Sequence, residues 1–457
     1  MKLIESIFRE YDIRGTYPSE INENSIAKIG QAIALKCIEE GVSEICVGRD
    51  GRLSGKTLLE AMCKSLSESG IAVINIGLVT SPILYYAAKK NKSKSGVMIT
   101  GSHNPKNDNG IKMVINDKPV SGTEILSLTK SVKNINNKAQ IINDTSVIDQ
   151  YISEVTHKIK LHNPNRLKVV IDCGNGAAGA VAPELFKKLG CDVINLFSEV
   201  DGNFPNHHPD PGKLDNLKDL INTVKKEDAA LGIAFDGDGD RVGLISGKGE
   251  IVFPDKIMML FAKDILDKNK GGEIIFDVKC SNSLADIIKQ NGGKPTMSPT
   301  GHFHIKNALR KTNALLAGEM SGHIFFNDTW YGFDDGHYAG VRILDLITRS
   351  NLSIEELVSQ LPQSHSTPEL NINVDDENKF LIIERFAREC SLDGNKVTID
   401  GLRIEFENGW GLLRASNTTP KLVLRFEGNT KETLNSIKTD FLNELKRICP
   451  EIDVTLH

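Results

Sequence analysis

Three aspartates alternate with other residues in the segment FDGDGDR at 235–241. On an extended strand this alternation would aim the carboxylates of Asp236, Asp238 and Asp240 to one side, while the two glycines would let the backbone curl round a cation. A site made of oxygen ligands favours Mg²⁺ over zinc or copper. The segment does not fit an EF-hand loop, because position 249, nine residues after Asp240, is glycine rather than glutamate. The alternative is a solvated acidic turn.

A serine lies in a second polar segment, TGSHNPKNDNGIKM at 100–113. An apolar run precedes this segment, and its glycine, asparagine and proline residues predict a tight, solvent-facing loop with Ser102 at its tip. A serine hydroxyl is a weak nucleophile that needs a base or a metal, and His103 and Lys112 are the polar candidates nearby. If the Ser-His pair stood alone, a structural turn with a surface serine would be the alternative.

Two further segments carry groups that bind polar ligands. In AGEMSGH at 317–323, Glu319 can accept hydrogen bonds from vicinal sugar hydroxyls and Ser321 can donate to them, although a polar turn would have the same composition. In RASNTTPKLVLRFEG at 414–428, Arg414 and the hydroxyl and amide side chains after it suit the binding of a phosphate. A hairpin turn between two strands is the alternative for this segment, and both interpretations can hold at once.

Two other segments have part of a binding motif without fitting it. In VIDCGNGAAG at 170–179, the third glycine comes one residue too late for a dinucleotide-binding loop, so we predict a tight strand-to-helix turn. The adjacent histidines of HHPDP at 207–211 would point apart on an extended backbone, which disfavours a shared metal. We predict a packing loop there.

Short apolar runs alternate with segments of helical period from Glu44 onward, which is typical of βαβ units and a mainly parallel sheet. The alternation recurs twice, at intervals of about 100 residues. After residue 370 it gives way to strands and two helices, the pattern of an α+β module. We therefore predict three related α/β domains and a smaller C-terminal α+β domain. The expected boundaries are 1–147, 148–250, 251–362 and 363–457.

The composition excludes several classes of partner. The 457 residues include 55 Lys and Arg against 60 Asp and Glu, so the net charge of −5 creates no field for nucleic acid or anionic lipid. No uncharged apolar stretch reaches the roughly 18 residues that span a bilayer, and the N-terminus has no signal-peptide core. The eight cysteines lack CxxC spacing, which is typical of reduced, buried thiols. We expect a cytoplasmic protein that binds neither nucleic acid nor membranes.

Four motifs occur along the chain in the order TGSHNP, FDGDGDR, GEMSGH and RASNTTP, and FREYDIRG precedes them near the start. In these motifs the sequence resembles the α-D-phosphohexomutase family, and within it the bacterial phosphomannomutase/phosphoglucomutase branch. The resemblance implies an isomerase that interconverts hexose 1-phosphate and hexose 6-phosphate, with mannose or glucose as the sugar, through a phosphoserine and a 1,6-bisphosphate intermediate. It also implies mixed-sheet domains around a central active-site cleft, in a monomer or homodimer. The cofactors implied are Mg²⁺ and, as activator, glucose 1,6-bisphosphate or mannose 1,6-bisphosphate.

The resemblance also implies roles for individual residues. Ser102 would be the phosphorylated serine, and the three aspartates would hold Mg²⁺ together with an oxygen of the phosphorylated Ser102. The other catalytic residues would be Arg14, His103, Lys112, Arg241 and His323. The substrate-binding residues would be Lys279, His302, Glu319, Ser321, Arg414, Ser416, Asn417 and Thr418.

Three alternative functions share parts of this pattern. Phosphoglucosamine mutase has the same scaffold, but Met320 in GEMSGH resembles the mannose/glucose branch. A metal-dependent sugar-phosphate phosphatase would use the same serine and release free phosphate. A non-catalytic sugar-phosphate binding protein would not need Ser102, Lys112 and the three aspartates together.

Overall fold

Four β-sheets follow one another along the chain in the computed structural model, which describes residues 3–132, 138–163, 167–417 and 419–456. The first three sheets mix parallel with antiparallel strands and alternate with helices, whereas the pairs in the fourth are antiparallel. The predicted architecture of three mixed-sheet α/β domains and a C-terminal α+β domain is confirmed.

The first sheet has a parallel centre. Its strands are β1 (Ile13–Thr16), β2 (Glu44–Arg49), β3 (Ala72–Leu78), β4 (Gly96–Ile99), β5 (Asp108–Ile115), β6 (Lys118–Pro119) and β7 (Ile141–Asn143), in the order β1-β5-β4-β2-β3-β7, with β6 beside β5. Its helices are α1 (Glu23–Glu39), α2 (Gly55–Glu68), α3 (Ser81–Lys90) and α4 (Gly122–Thr129). Strand β4 is buried along its whole length, as expected for a parallel strand with helices on both faces.

The second sheet places parallel strands β8, β9 and β10 beside antiparallel β11 and β12. The strands are β8 (Lys168–Asp172), β9 (Asp192–Leu196), β10 (Leu231–Phe235), β11 (Val242–Ser246) and β12 (Ile251–Val252), in the order β12-β11-β10-β8-β9. The helices are α5 (Val147–Lys158), α6 (Ala182–Lys188) and α7 (Lys218–Lys226).

The third sheet repeats this arrangement with fewer strands. The strands are β13 (Glu273–Asp277), β14 (Lys294–Ser298), β15 (Leu316–Gly318) and β16 (Ile324–Phe326), in the order β14-β13-β15-β16. The helices are α8 (Pro254–Lys268), α9 (Asn282–Gln290), α10 (His302–Thr312), α11 (Gly336–Ser350) and α12 (Ile354–Ser359). Pro254 is the first residue of α8, where its missing N–H costs nothing.

The fourth sheet is an antiparallel sheet with two helices. The strands are β17 (His365–Ser366), β18 (Leu370–Asn373), β19 (Asn395–Val397), β20 (Leu402–Phe406), β21 (Gly409–Ala415) and β22 (Lys421–Gly428), in the order β17-β22-β21-β20-β19, with β18 also beside β22. The helices are α13 (Lys379–Glu389) and α14 (Lys431–Ile448), and the Thr430 side chain caps α14.

The hydrophobic cores divide the molecule unevenly. The largest cluster contains residues of all three α/β domains, for example Met98, Phe235 and Phe326. The C-terminal domain has a core of its own, in which Phe386 and Phe441 pack together. The first three domains therefore share one large apolar core, whereas the fourth domain shares with the third only a small cluster of Val278, Trp410 and Leu412.

The cysteines are free thiols and all eight are buried, as predicted. Burial raises the pKa of Cys37, Cys46 and Cys63 to about 12, so these thiols stay protonated at neutral pH. Within the described residues, no helix combines the length and apolar character needed to cross a bilayer.

Replacing Phe441 by Ala should destabilise the C-terminal domain alone. The Phe441 ring is 1% exposed and packs against Phe386 and Phe426, so truncation should cost about 3–5 kcal/mol. In differential scanning calorimetry, the midpoint temperature of one unfolding transition should fall, while the midpoint temperature of the transition of the other domains should not change. Phe186→Ala, in the shared core, should show the reverse. A single transition lowered equally by both variants would contradict separate cores.

Candidate active site

Three of the predicted segments lie at matching points of the three mixed sheets. Each follows the carboxyl end of a parallel strand, β4, β10 or β15, and leads into the antiparallel neighbour β5, β11 or β16. Ligands bind at the carboxyl ends of strands in open α/β sheets. We call residues 100–107 the serine loop and residues 236–241 the acidic turn.

Ser102 is buried, so the predicted solvent-facing position is wrong. The residue is only 1% exposed because the acidic turn packs directly against it. A Cβ atom at Gly237 would lie 2.3 Å from the Ser102 carbonyl oxygen. The Ser102 hydroxyl donates to Asp236 Oδ2 at 2.8 Å and lies 3.2 Å from His103 Nδ1. Packing between domains therefore buries a serine that its own loop sequence would leave in water.

The three aspartates converge in a turn, not on an extended strand as the alternation predicted. Strand β10 ends at Phe235 and β11 begins at Val242. Between them Gly239 adopts a φ of 74°, a conformation that favours glycine. One carboxylate oxygen from each aspartate belongs to a group of atoms within 4.8 Å of one another. The curled backbone, rather than strand alternation, therefore brings the carboxylates together.

One ammonium group is buried among these carboxylates. Lys112 Nζ is 2.7 Å from Asp238 Oδ2 and 2.5 Å from Asp240 Oδ2. Burial would lower the pKa of Lys112, but the two carboxylates raise this pKa well above its usual value. Burial raises the pKa of Asp236, and the charges of Asp240 and Asp238 raise it further. Burial would also raise the pKa of Asp238, but Lys112 holds it below its usual range. Even with the guanidinium of Arg241, which ends the same turn, the three carboxylates outnumber the nearby cations and leave an excess of negative charge.

The acidic turn fits a divalent metal ion. Among the described residues, Asp238 Oδ1 and Asp240 Oδ1 are buried and make no hydrogen bond, although His323 Nδ1 lies 3.4 Å from Asp240 Oδ1. Such carboxylate oxygens are costly to bury unless a cation binds to them. The available ligands are all oxygen atoms, including the Ser102 hydroxyl beside Asp236. This donor set suits a hard cation such as Mg²⁺.

Arg14 contacts the serine loop, and His103 belongs to it. Arg14 Nε lies 2.7 Å from Asp12 Oδ2, and Arg14 Nη1 donates to the Asn104 side chain at 2.7 Å. The pKa of His103 lies well below its usual value, because burial disfavours the imidazolium and the neighbouring arginines repel it. A neutral imidazole therefore lies beside the Ser102 hydroxyl.

His323 joins the second and third domains. Its Nε2 accepts a hydrogen bond from Arg241 Nε at 3.0 Å, so its proton is on Nδ1. Nδ1 lies 3.2 Å from Asp334 Oδ2 and 3.4 Å from Asp240 Oδ1. Lys306 Nζ lies 2.7 Å from the other oxygen of Asp334. The carboxylate of Asp334 thus fixes the orientation of the imidazole.

Glu319 and Ser321 lie in the turn between β15 and β16. Glu319 is 1% exposed, its Oε1 accepts a hydrogen bond from the Gly301 N–H at 2.6 Å, and burial raises its pKa. His302 follows Gly301, and the centroid of its ring lies 5.8 Å from the centroid of the His323 ring. The turn therefore places a carboxylate close to two imidazoles.

The described residues of the RASNTTP segment lie at the end of β21 and before the start of β22, which pair as an antiparallel hairpin. Arg414 is buried, and its Nε donates to Asp400 Oδ2 at 2.9 Å. Ser416 Oγ accepts a hydrogen bond from the Thr419 N–H at 3.1 Å. Thr418, another predicted site residue, lies outside the described residues.

Four polar contacts close a ring through the four domains. Ser102 of the first domain contacts Asp236 of the second, and Arg241 of the second contacts His323 of the third. Lys279 of the third domain contacts Glu369 of the fourth, and Asn417 of the fourth contacts Tyr11 of the first. Lys279 Nζ lies 2.9 Å from Glu369 Oε2, and the Asn417 amide donates to the Tyr11 hydroxyl. Predicted site residues from every domain therefore take part in the contacts that join the four domains in a ring.

Sequence reasoning missed several residues that contribute to this site. Tyr11 stands in FREYDIRG, from which only Arg14 had been selected. Asp334 stands in GFDDG, where the pair of adjacent aspartates was the local signal. Arg52 and His208 contact the backbone of the serine loop. Arg52 follows β2, the neighbour of β4, so its position at the carboxyl end of the sheet could have identified it.

The two segments that did not fit binding motifs behave as predicted. Residues 170–179 form a tight turn from the end of β8 into a short 3-10 helix, Ala177–Ala180. His207 Nε2 lies 3.1 Å from Asp172 Oδ2, while His208 Nε2 donates to the His103 carbonyl. The adjacent histidines therefore have separate partners in a packing loop.

Four family models match the chain in succession. Three models describe alpha/beta/alpha domains I, II and III of phosphoglucomutase/phosphomannomutase. They match residues 5–139, 149–249 and 253–365, respectively. The model of the C-terminal domain of the same proteins matches residues 369–444.

Known proteins resemble the chain over its length. A phosphomannomutase/phosphoglucomutase of Pseudomonas syringae is 48% identical over 455 residues, which are 99% of this chain and 97% of that protein. A phosphoglucomutase of Neisseria gonorrhoeae is 47% identical over 446 residues, 96% of each protein. The crystal structure of a phosphoglucomutase/phosphomannomutase family protein from Burkholderia thailandensis has a TM-score of 0.93 and 42% identity, with 99% of each chain covered.

Replacing Asp238 by Asn should weaken the binding of divalent cations. Mg²⁺ should raise the unfolding temperature of the wild-type protein, because a ligand that binds the folded state stabilises it. The variant should lose this shift and bind Mg²⁺ about tenfold or more weakly in calorimetric titration, since one anionic ligand is gone. Asp264→Asn, at an ion pair with Arg349, should retain the shift. Equal Mg²⁺ binding by wild type and Asp238→Asn would contradict the assignment.

Proposed function

Because the chain belongs to the phosphoglucomutase/phosphomannomutase family and is an isomerase that interconverts hexose phosphates, we propose that Ser102 carries the phosphoryl group that is exchanged. The observation that supports this role is the position of the Ser102 hydroxyl, 2.8 Å from Asp236 Oδ2. The hydroxyl thus lies between a neutral imidazole, His103, and an acidic turn suited to a cation. A serine that accepts and returns a phosphoryl group needs these neighbours.

The proposed reaction consists of two phosphoryl transfers separated by one reorientation. In the first transfer, the bond from phosphorus to the Ser102 oxygen breaks and a bond to the free hydroxyl oxygen of a hexose monophosphate forms. The hexose 1,6-bisphosphate then turns end for end, and its other phosphoryl group returns to Ser102. Glucose 1,6-bisphosphate or mannose 1,6-bisphosphate is therefore both the intermediate and the compound that phosphorylates an unmodified enzyme.

Positive charge around the moving phosphoryl group accounts for most of the catalysis in such transfers. Arg14, Lys112 and Arg241 supply this charge from the first two domains. Mg²⁺ held by the three aspartates and a phosphoserine oxygen would add positive charge at the same place. The excess negative charge of the acidic turn supports this metal assignment.

Proton transfer must accompany each phosphoryl transfer, because the attacking hydroxyl loses a proton and the leaving oxygen gains one. His323 and His103 are the two imidazoles suited to this task. His103 is neutral and lies 3.2 Å from the Ser102 hydroxyl, while Asp334 and Arg241 fix the ring of His323.

The substrate is bound at its sugar ring and at its distal phosphate, which is the phosphate group that is not being transferred. Glu319 and Ser321 bind the O3 and O4 hydroxyls, which are equatorial and can be bound in both orientations of the sugar. The phosphate clasp consists of Arg414, Ser416, Asn417 and Thr418, with Lys279 and His302 as further substrate-binding groups. The contact of Asn417 with Tyr11 joins the C-terminal domain to the first. Closure of the C-terminal domain over the substrate would exclude water, which would otherwise hydrolyse the phosphoserine.

Of the alternatives, phosphoglucosamine mutase is not favoured, because full-length relatives at 46–50% identity have the names phosphomannomutase/phosphoglucomutase and phosphoglucomutase. Hexose monophosphates that contain mannose or glucose are the proposed substrates. We place the enzyme in the cytoplasm, as a monomer or homodimer without nucleic-acid or membrane partners.

Replacing Ser102 by Ala should lower mutase turnover about 10³-fold or more without unfolding the protein, because the covalent carrier is lost. After treatment with glucose 1,6-bisphosphate, intact-mass analysis should find one added phosphoryl group on the wild type and none on the variant. Ser127→Ala, on the exposed surface of α4, should behave like wild type. Near-normal turnover of Ser102→Ala would rule out the phosphoserine pathway.

Replacing Arg414 by Ala should impair hexose 1-phosphate and hexose 6-phosphate equally, because the clasp holds the end of the sugar that faces away from Ser102. Loss of a charge-assisted contact costs about 1.5–3 kcal/mol, or roughly ten- to over a hundredfold in kcat/KM. Coupled assays in both directions measure this ratio. Arg385→Ala, at a half-buried surface site in the same domain, is the control. Impairment of only one substrate would show that the clasp binds only one end of the sugar.

A further inference from the structure

Arg52 lies under the serine loop, outside every motif that suggested chemistry. Its side chain is fully buried, and its guanidinium donates to backbone carbonyls of the loop and of the strand that follows. Nη2 lies 2.8 Å from the Ser102 oxygen and 2.6 Å from that of Asn104. Nη1 lies 2.5 Å from the Pro105 oxygen and 2.7 Å from that of Asp108. One side chain therefore binds four carbonyl groups.

His208 binds the carbonyl that Arg52 does not reach. It belongs to the packing loop of the second domain, and its Nε2 donates to the His103 carbonyl. The carbonyls of residues 102, 103, 104 and 105 are thus all held by two side chains from two domains.

The surrounding residues leave space for this arrangement. A Cβ atom at Gly101 would lie 2.4 Å from both Cζ and Nε of Arg52, so only glycine fits there. Asp50 Oδ2 lies 3.3 Å from Arg52 Nε and accepts hydrogen bonds from the Thr100 hydroxyl and the Gly101 N–H. Asp50 therefore connects the guanidinium to the first two residues of the serine loop.

The backbone of Ser102 needs such support. Its φ is 48°, in the left-handed region that non-glycine residues rarely adopt. Strained backbone of this kind persists only where its surroundings determine it, and here the strain falls on the residue whose side-chain oxygen must react. The peptide after Ser102 is held on one side by Arg52 and meets Gly237 on the other.

We infer that Arg52 and His208 are positioning residues that hold the four consecutive carbonyls of the serine loop and thereby aim the Ser102 oxygen. This inference rests on the proposed phosphoserine pathway. The loop must present the same oxygen twice per cycle, once as leaving group and once as acceptor. The Ser102 side chain itself gains and loses a phosphoryl group. Contacts to the backbone of the serine loop must therefore hold the side chain in position.

The inference predicts that lysine cannot replace Arg52. An ammonium group is a point charge with three donors, whereas the planar guanidinium offers five in a fixed fork that matches these carbonyls. In Arg52→Lys, kcat for glucose 1-phosphate should fall at least 30-fold while KM stays within threefold, because the phosphate clasp is intact. The ³¹P NMR signal of the phosphoserine, formed with glucose 1,6-bisphosphate, should shift and broaden.

Arg342→Lys is the matched control, because Arg342 is also buried but binds Asp328 in the third domain. It should lower the unfolding temperature while leaving kcat within twofold and the ³¹P signal unchanged. If Arg52→Lys does not fold, His208 decides the question, since its side chain is only half-buried. His208→Ala should lower kcat about tenfold, and His208→Gln, which retains an N–H donor, should restore it to within threefold of wild type.

Three results would overturn the inference. They are normal kcat in Arg52→Lys, a lower kcat with an unchanged ³¹P signal, and equal kcat in His208→Ala and His208→Gln. Failure of the phosphoserine pathway itself is distinguishable, because the wild-type sample would then lack the phosphoserine signal despite mutase turnover.

Discussion

The site depends on one buried ammonium group. Lys112 comes from a strand of the first domain, and the carboxylates that it contacts, Asp238 and Asp240, come from a turn of the second. Neither partner could be buried alone without a large desolvation cost. The two domains must therefore meet in one register, and that register places Ser102 against Asp236.

The other domains are joined in a similar way, by polar side chains from both sides of each junction. Each supplies side chains to a site that no single domain contains, and each junction between neighbouring domains includes a polar contact at that site. Apolar packing in one large core holds three of the domains together, whereas the C-terminal domain has its own core and shares only the small cluster of Val278, Trp410 and Leu412 with the third domain. The C-terminal domain, which carries the proposed phosphate clasp, thus shares less apolar surface with the other domains than those three share with one another.

The sequence allowed the fold class and four site segments to be predicted, because periodicity and strand ends are local properties. Ser102 was expected in solvent and the aspartates on a strand, since neither the packing of one loop on another nor the φ of Gly239 follows from local composition. Arg52 was not predicted, and His208 was assigned only to a packing loop, because both side chains act on backbone carbonyls, which any sequence provides. The contact of Tyr11 with the C-terminal domain depends on residues far apart in sequence.

The buried cysteines give the native protein its own set of probes for local opening. They are Cys37, Cys46 and Cys63 in the first domain, Cys173 and Cys191 in the second, Cys280 in the third, and Cys390 and Cys449 in the fourth. Alkylating reagents attack the exposed thiolate, so each site reacts only when its surroundings open. The labelling rate at each thiol, read by mass spectrometry, would therefore give the opening free energy of that region without any introduced label. Such measurements would compare the C-terminal domain with the rest of the chain in a single sample.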